Sequence, residues 1–279
     1  MSPAGPKISV ITAVYNGAQT LPALLESIRS QRWPHRELLV SDGLSVDGTV
    51  DLLREAEDVV DWWVSAPDQG IYDAWNRALE HITGEWVLFL GADDRLAGPD
   101  SLAEAAGRLA SLPPEVRVAY GRLRQVDPRG ETVGTLGAPW EQVREAFRWD
   151  LSLPHPATFH RAELFTRHGY FDATFRIAGD YEFLLRELPQ REARFLADVT
   201  VTEMAVGGVS DDPGTKLRQV LEVERARSEH GLRRLPPECS ARVMRVRIHR
   251  LLDRMLGRES ALALVNLYRR LAGREPLRK

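Results

Sequence analysis

The sequence predicts an α/β protein with a mostly parallel sheet flanked by helices. Three observations predict it. Apolar runs of strand length recur at 7–14, 37–42, 59–65 and 86–91, with helix-period segments between them. Strands alternating with helices at this spacing make βαβ units, whose right-handed crossovers place every strand end on one edge. The chain has 279 residues, 43% hydrophobic and 28% charged, enough for a real core.

KISVITAV (7–14) reads as a buried first strand. Thr20 caps a helix to about Gln31, with Leu21, Leu24, Leu25 and Ile28 on one face and Pro22 tolerated in the first turn. ELLVSD (37–42) is a second strand, followed by the loop GLSVDGT and a helix near 49–56. VVDWWVS (59–65) is the third strand, 73–82 a helix and 86–91 the fourth strand. Residues 99–110 are helical, VRVAYGRL (116–123) is a strand, and DPRG (127–130) makes a hairpin turn. LPHPATFHR (153–161) holds two prolines and cannot be a helix interior. A helix follows over 180–188, and GGVS (207–210) is a loop.

After Pro213 the composition shifts, and 214–230, 238–256 and 259–272 read as three helices rich in Arg and Leu. The expected division is 1–212, with halves of about 1–125 and 126–212, and a basic helical region, 213–279. Residues 1–210 hold 20 Lys+Arg against 31 Asp+Glu, and 211–279 hold 17 against 9. The basic tail is read first as a solvated helical face and second as a surface for anionic membrane. A nucleic-acid partner is not expected, because the tail has few aromatics and no such module. Val243, Ile248, Leu251, Leu252 and Met255 form an apolar stripe that packs on the domain or touches lipid. No apolar run reaches the roughly 18 residues of a membrane span. MSPAGPK lacks a signal pattern, and the single Cys239 excludes a disulfide framework or a Cys zinc site, so a cytoplasmic protein is expected.

Acids stand at three successive strand ends. In GEWVLFLGADD (84–94) the fourth strand runs into Asp93 and Asp94. In open α/β sheets ligands bind at that edge. Two carboxylates 4 Å apart repel by roughly 4 kcal/mol at an effective dielectric near 20. A hard divalent cation relieves that repulsion and also favours phosphate oxygens. Asp42 opens DGLSVDGT, a tight turn with free N–H groups, where a carboxylate can accept from a nucleobase; Asp47 is read as a helix cap. DQGIYDAWN (68–76) follows the third strand. Thr12, Ala13, Val14 and Tyr15 end the first, with Tyr15 either near a base or sugar or packed as a half-buried aromatic. A nicotinamide-binding enzyme is excluded, because Asn16-Gly-Ala-Gln-Thr-Leu lacks G-x-G-x-x-G. A sugar-1-phosphate nucleotidyltransferase wants a basic residue there, and none is present.

SVITAVYNG, SDGLSVDGT, DQGIYDAWN and GEWVLFLGADD, in this order, resemble a family 2 glycosyltransferase with the Rossmann-like GT-A fold over about 7–210. DQGIYDAWN is similar to the members that build bacterial surface polysaccharides of the cell envelope. The resemblance implies inverting transfer of a sugar from a nucleotide-diphosphate donor, UDP preferred, to a hydroxyl of a glycan or lipid-linked saccharide, with Mg²⁺ or Mn²⁺. It implies that Thr12 and Asp42 line the nucleobase pocket; Ala13 and Tyr15 stand at the same strand end as candidate nucleotide-binding residues. Asp68 and Gly70 then lie beside the nucleoside, and Asn76 supports that loop. Asp93 faces the ribose and metal, and Asp94 ligates the metal. The family's D-x-D stands here as Ala92-Asp93-Asp94, so Ala92 replaces the first acid.

Inverting transfer needs a base opposite the leaving diphosphate. FRIAGDYEFLLR (175–186) offers Asp180, matching the family's acidic motif at a helix start; the alternative is a helix cap. Glu182 is a second candidate that points elsewhere on the helix. LPHPATFHR resembles the acceptor-side segment, with His155 preferred over His160 for contact with diphosphate or acceptor, or else structural. Arg176 pairs with a phosphate or acceptor anion, or is a surface arginine. GGVS resembles a segment that closes over the donor. The other reading is a catalytically silent sugar-nucleotide binding module.

Overall fold

The computed structural model describes residues 5–127, 129–206 and 213–232. The predicted helices at 238–256 and 259–272, with their apolar stripe and Cys239, and the GGVS loop lie outside these residues. Four parallel strands come first: β1 (Ile8–Val14), β2 (Arg36–Asp42), β3 (Trp62–Ser65) and β4 (Trp86–Gly91). They lie in the spatial order β3-β2-β1-β4. Their helices are α1 (Leu21–Arg29), α2 (Thr49–Glu55) and α3 (Ile71–Leu79). In α1, Leu21, Leu24, Leu25 and Ile28 are buried on one face, as the 3.6-residue period requires.

Beyond β4 the sheet changes character. β5 (Asp94–Leu96), β6 (Val118–Val126), β7 (Thr132–Leu136), β8 (Thr158–Arg161) and β9 (Arg194–Ala205) complete nine strands. β8 is antiparallel to both β4 and β6, and β5 is antiparallel to β9. β6 and β9 run parallel, and β6 and β7 form the hairpin expected at DPRG. The parallel order thus holds for the first half, and the sheet is mixed beyond it. Sequence pattern did not reveal β5, β8 or β9. β8 is four residues containing His160 and Arg161, and β9 is bulged where Tyr120↔Phe195 jumps to Arg122↔Thr200. A bulge breaks the two-residue alternation by which a strand is read.

The remaining helices are α4 (Ser101–Leu109), α5 (Trp140–Phe147), α6 (Glu163–His168), α7 (Gly179–Leu185) and α8 (Pro213–Glu229). Two cores lie on opposite faces of the sheet. Ile8, Val10, Val14, Trp86, Leu88 and Leu90 face α1, α2 and α4. Ile11, Val87 and Phe89 face Tyr72 and Trp75 of α3, Phe183 of α7, and Val223 and Ala226 of α8. The composition shift near 212 is therefore no packing boundary for α8, which shares the core of α7. Among the described residues no helix is long and apolar enough to cross a membrane.

Candidate active site

The parallel registers Val14↔Asp42, Asp42↔Ser65 and Ala13↔Gly91 align the carboxyl ends of β1 to β4 on one edge. The loops there are tied together. Asn16 N donates to Ser45 Oγ at 2.7 Å, Gly17 N to Thr49 Oγ1 at 2.9 Å and Ala18 N to Asp47 Oδ2 at 3.0 Å; Val46 N returns a bond to Asn16 Oδ1 at 3.0 Å. Asp47 also accepts from Thr49 N at 3.1 Å, so it braces two loops as well as the start of α2. Among the described residues, only Asn16 (φ 50°) and Leu44 (φ 67°) are non-glycines in the left-handed region, and both stand on this edge. Strained backbone of that kind clusters at ligand sites.

Asp42 is fully buried. It accepts from Ser45 N at 3.0 Å, from Ser65 Oγ at 2.6 Å and from Ser45 Oγ. A carboxylate has roughly four acceptor positions, and these bonds fill all but one. Asp68 accepts from Gly70 N at 2.8 Å and packs on Gly43, where a Cβ would lie 2.6 Å from Asp68 Oδ2 and 3.4 Å from Tyr15 Cδ2. Tyr15 is 68% exposed, which removes the half-buried alternative, and Ala13 is partly exposed beside it. The structure thus brings Ala13, Tyr15, Asp42, Asp68 and Gly70 to one edge.

Thr12 departs from expectation. Its side chain is fully buried, on the same face as Val10 and Val14, and its Oγ1 has no protein partner. Neighbouring strand residues point to opposite faces, so Thr12 is buried in one core layer while Ala13 packs, partly exposed, against the other. Asn76 also departs. It lies about 9 Å along α3 from Gly70. Its amide donates to Phe171 O at 2.8 Å and accepts from Phe171 N at 2.9 Å, tethering the segment before α7 instead of the Asp68–Gly70 loop.

At the end of β4, Asp93 is exposed and Asp94 buried, 5% exposed, accepting from Gly91 N at 2.8 Å. A Cβ on Gly91 would meet Asp93 Oδ1 at 2.8 Å and Asp94 Oδ2 at 3.1 Å, so glycine lets both acids fold over this turn. Burial, with Asp93 adding its charge, pushes the Asp94 carboxyl up to about 7. The first loop is adjacent, since a Cβ on Gly17 would lie 3.8 Å from Ala92 Cβ. Among the described residues no three His, Cys, Asp or Glu side chains converge. Asp93 and Asp94 fit a Mg²⁺ or Mn²⁺ held by one or two carboxylates and completed by substrate phosphates.

The other side of the site comes from the antiparallel half. Because β8 runs against β4, with Trp86↔Arg161 and Leu88↔Phe159, the 3-10 turn His155–Ala157 before it lies toward the carboxyl end of β4. His155 stacks on Trp75 at 5.3 Å and on Phe89 at 5.6 Å between centroids. Its Nδ1 is 3.9 Å from Asp180 Oδ2, and its Nε2 has no protein partner. Burial holds its pKa at about 3. The imidazole is therefore neutral, and its contact with Asp180 is not an ion pair. His160 is buried in β8, and burial likewise holds it neutral.

Asp180, in the first turn of α7, is 7% exposed. Its Oδ1 accepts from Tyr72 Oη at 3.1 Å. Burial raises the carboxyl to about 6, opposed by N–H groups of its own helix turn and by Tyr72. Burial and the Asp180 charge hold the Tyr72 phenol well above its ordinary value, so Tyr72 remains the donor. Glu182 is paired with Arg186 and with His230, away from Asp180's partners Tyr72 and His155. Arg176 lies over the Asp68–Gly70 loop, since a Cβ on Gly70 would be 2.6 Å from its Nη1. Of the two partners the sequence offered, a phosphate or an acceptor anion, this place beside Gly70 suits the phosphate.

Sequence reasoning missed Tyr72, Ser65 and Glu222. Tyr72 lies inside DQGIYDAWN, next to an apolar helix face, and that was its only signal. Glu222 carried none.

A mixed sheet with acids gathered on one edge, facing a buried carboxyl across it, suits transfer from a phosphorylated donor. Residues 9–171 match glycosyl transferase family 2, more than half of the chain. The chain belongs to this family and is a glycosyltransferase. A PGL/p-HBAD biosynthesis glycosyltransferase of Mycobacterium bovis is 33% identical over 224 residues, covering 75% of this chain and 80% of that protein. S. aureus TarS 1–349 in complex with UDP-GlcNAc aligns with TM-score 0.65 and 20% identity, over 95% of this chain and 77% of that one. In the UDP complex of the same fragment the match spans 65% of that chain. A mannosyltransferase from Pyrobaculum calidifontis, in complex with GDP-Man and Mn²⁺, aligns with TM-score 0.64 and 20% identity, over 99% of this chain and 78% of that one. At these identities the solved structures establish the fold.

Proposed function

We propose that the protein transfers a sugar, with inversion, from a nucleotide-diphosphate sugar to a hydroxyl of a glycan or lipid-linked saccharide. The observation that carries this reading is Asp180: a buried carboxyl raised to about 6, held by Tyr72, on the edge that also bears Asp42, Asp68, Asp93 and Asp94. A general base works best with a pKa near the operating pH. As the acceptor oxygen bonds the anomeric carbon, its proton passes to Asp180, and the bond from that carbon to the diphosphate oxygen breaks on the opposite face. Tyr72 holds the carboxylate in place. Neutral His155 offers Nε2 as a hydrogen-bonding group to acceptor or diphosphate. Asp42, Asp68, Gly70, Ala13 and Tyr15 bind the nucleotide, and Arg176, beside Gly70, reaches its phosphates. Asp93 and Asp94 hold Mg²⁺ or Mn²⁺, which when bound neutralises charge on the departing diphosphate.

UDP is the preferred nucleotide, supported by the TarS complexes, and the Mn²⁺-containing mannosyltransferase supports the metal. Calorimetry with UDP, GDP and dTDP, each with and without Mn²⁺, is expected to show Mn²⁺-dependent binding of UDP. Binding of none of the three would overturn the donor site. The product belongs to a bacterial cell-envelope polysaccharide or glycolipid, a reading that the mycobacterial relative supports. The basic residues of 213–279 suit a solvated helical face first and peripheral contact with the inner face of an anionic membrane second. Flotation with anionic liposomes at low salt should carry the full chain, and no flotation would remove this part of the reading.

A further inference from the structure

Glu222 of α8 lies 42 residues after Asp180 and outside the segment that matches the family. Its carboxylate accepts three consecutive backbone N–H groups: Arg176 at 3.0 Å, Ile177 at 2.8 Å and Ala178 at 3.0 Å. Successive N–H groups turned toward one point form an anion-binding nest. Here the nest is filled by the protein's own side chain. These residues lead directly into Gly179 and Asp180. Gly179 itself presses on the Tyr72 ring, where a Cβ would come within 2.8 Å. The backbone that leads into Asp180 is therefore fixed by a carboxylate on α8 and a phenol on α3. The same nest includes the backbone of Arg176, whose guanidinium covers Gly70.

The brace is itself anchored. Arg225, one turn along α8, bonds Asp172 Oδ2 at 3.1 Å and Thr174 Oγ1 at 2.8 Å and lies 4.1 Å from the Phe175 ring centroid. Val223 and Ala226 are buried. A carboxylate serving only to cap a loop would do so equally well far from the reacting groups, and this one caps the loop that carries Asp180.

We propose that Glu222 is a positioning residue for the reaction, fixing the backbone of 176–178 and so the place of the Asp180 carboxyl. This rests on Asp180 as the base. The groups facing Asp180 are Tyr72 from α3, which keeps its proton, neutral His155 from the 3-10 turn, and Glu222 from α8, whose charge favours the protonated acid.

The test uses Glu222→Gln and Glu222→Ala in the full chain, with Asp180→Asn alongside. The readouts are ¹³C-carboxyl NMR titration of Asp180 and release of UDP from UDP-GlcNAc and UDP-glucose, per folded molecule. Removing the Glu222 charge should move the Asp180 titration to lower pH. Turnover should fall by about 10- to 100-fold, since small misplacements of a reacting group cost that much. UDP affinity should fall less than turnover, because the nest holds the backbone of Arg176 as well as the approach to Asp180. Glu222→Gln preserves size and one acceptor oxygen, so it remains informative if Glu222→Ala does not fold. An unmoved Asp180 titration, or unchanged turnover in Glu222→Gln, overturns the proposal while leaving the base assignment standing if Asp180→Asn is inactive. Wild-type turnover in Asp180→Asn overturns the base assignment itself, and Glu222 with it.

Discussion

Asp180→Asn is expected to lower turnover by about 10²–10⁴-fold, the usual contribution of a general base, with nucleotide affinity unchanged. Asn keeps the shape and an oxygen for the Tyr72 hydroxyl, 3.1 Å away in the wild type. It cannot take the acceptor proton. The pH profile provides a second check. A base must be ionised, so wild-type turnover should rise tenfold per pH unit up to about 6 and then level off. Stability should move the other way. The folded pKa lies above the ordinary 3.8, so between these values the native state holds more proton than the unfolded chain. This contribution is full below 3.8 and is lost as pH rises through about 6. Asp180→Asn lacks that loss, and its melting temperature at pH 7 should equal or exceed wild type. Unchanged transfer in Asp180→Asn would sink the assignment.

Asp94→Asn is expected to abolish the Mn²⁺-dependent part of nucleotide binding. Transfer should fall by about 100-fold or more, since metal stabilisation of developing charge is worth several kcal/mol. The fold should survive, because the amide oxygen still accepts the Gly91 N–H that Asp94 accepts at 2.8 Å. Asp93 is exposed and belongs to the same turn, so a weak residual metal response is expected from it. Calorimetry with UDP and Mn²⁺ measures the first effect, and UDP release the second. A Mn²⁺ increment equal to wild type in Asp94→Asn would show that the metal is held elsewhere.

The donor half was legible because its signals are local. β1, β2 and β4 are continuous apolar runs buried on both faces, and each stops at a loop of Gly, Ser, Asn or Asp. The acids of those loops could therefore be assigned to one edge before any contact was known. Thr12 shows the limit. The strand and its edge were legible, but which packed layer each of two neighbouring residues meets, and which of them stays partly exposed, depends on parity, and an apolar run buried on both faces carries no alternation to read. Asn76 shows another limit: its partner is the backbone of Phe171, 95 residues away, with nothing in the sequence to mark it. β8 and β9 were hidden because one is four residues long and the other is bulged.

The sequence by itself determined the α/β class, the aligned acids at 42, 68, 93 and 94, and the candidacy of Asp180. The class and the aligned acids depend on residue type, local spacing and the handedness of crossovers, and Asp180 on its match to the family's acidic motif at a helix start, all written along the chain. Only the tertiary structure decided that β8 returns against β4 and delivers a neutral His155 to the site. It alone placed Arg176 over Gly70, engaged Glu182 elsewhere, and buried Asp180 against Tyr72 under a loop held by Glu222. Those outcomes depend on which distant side chains share a desolvated space, and burial there, more than the residue's identity, sets the proton affinity that its chemistry needs.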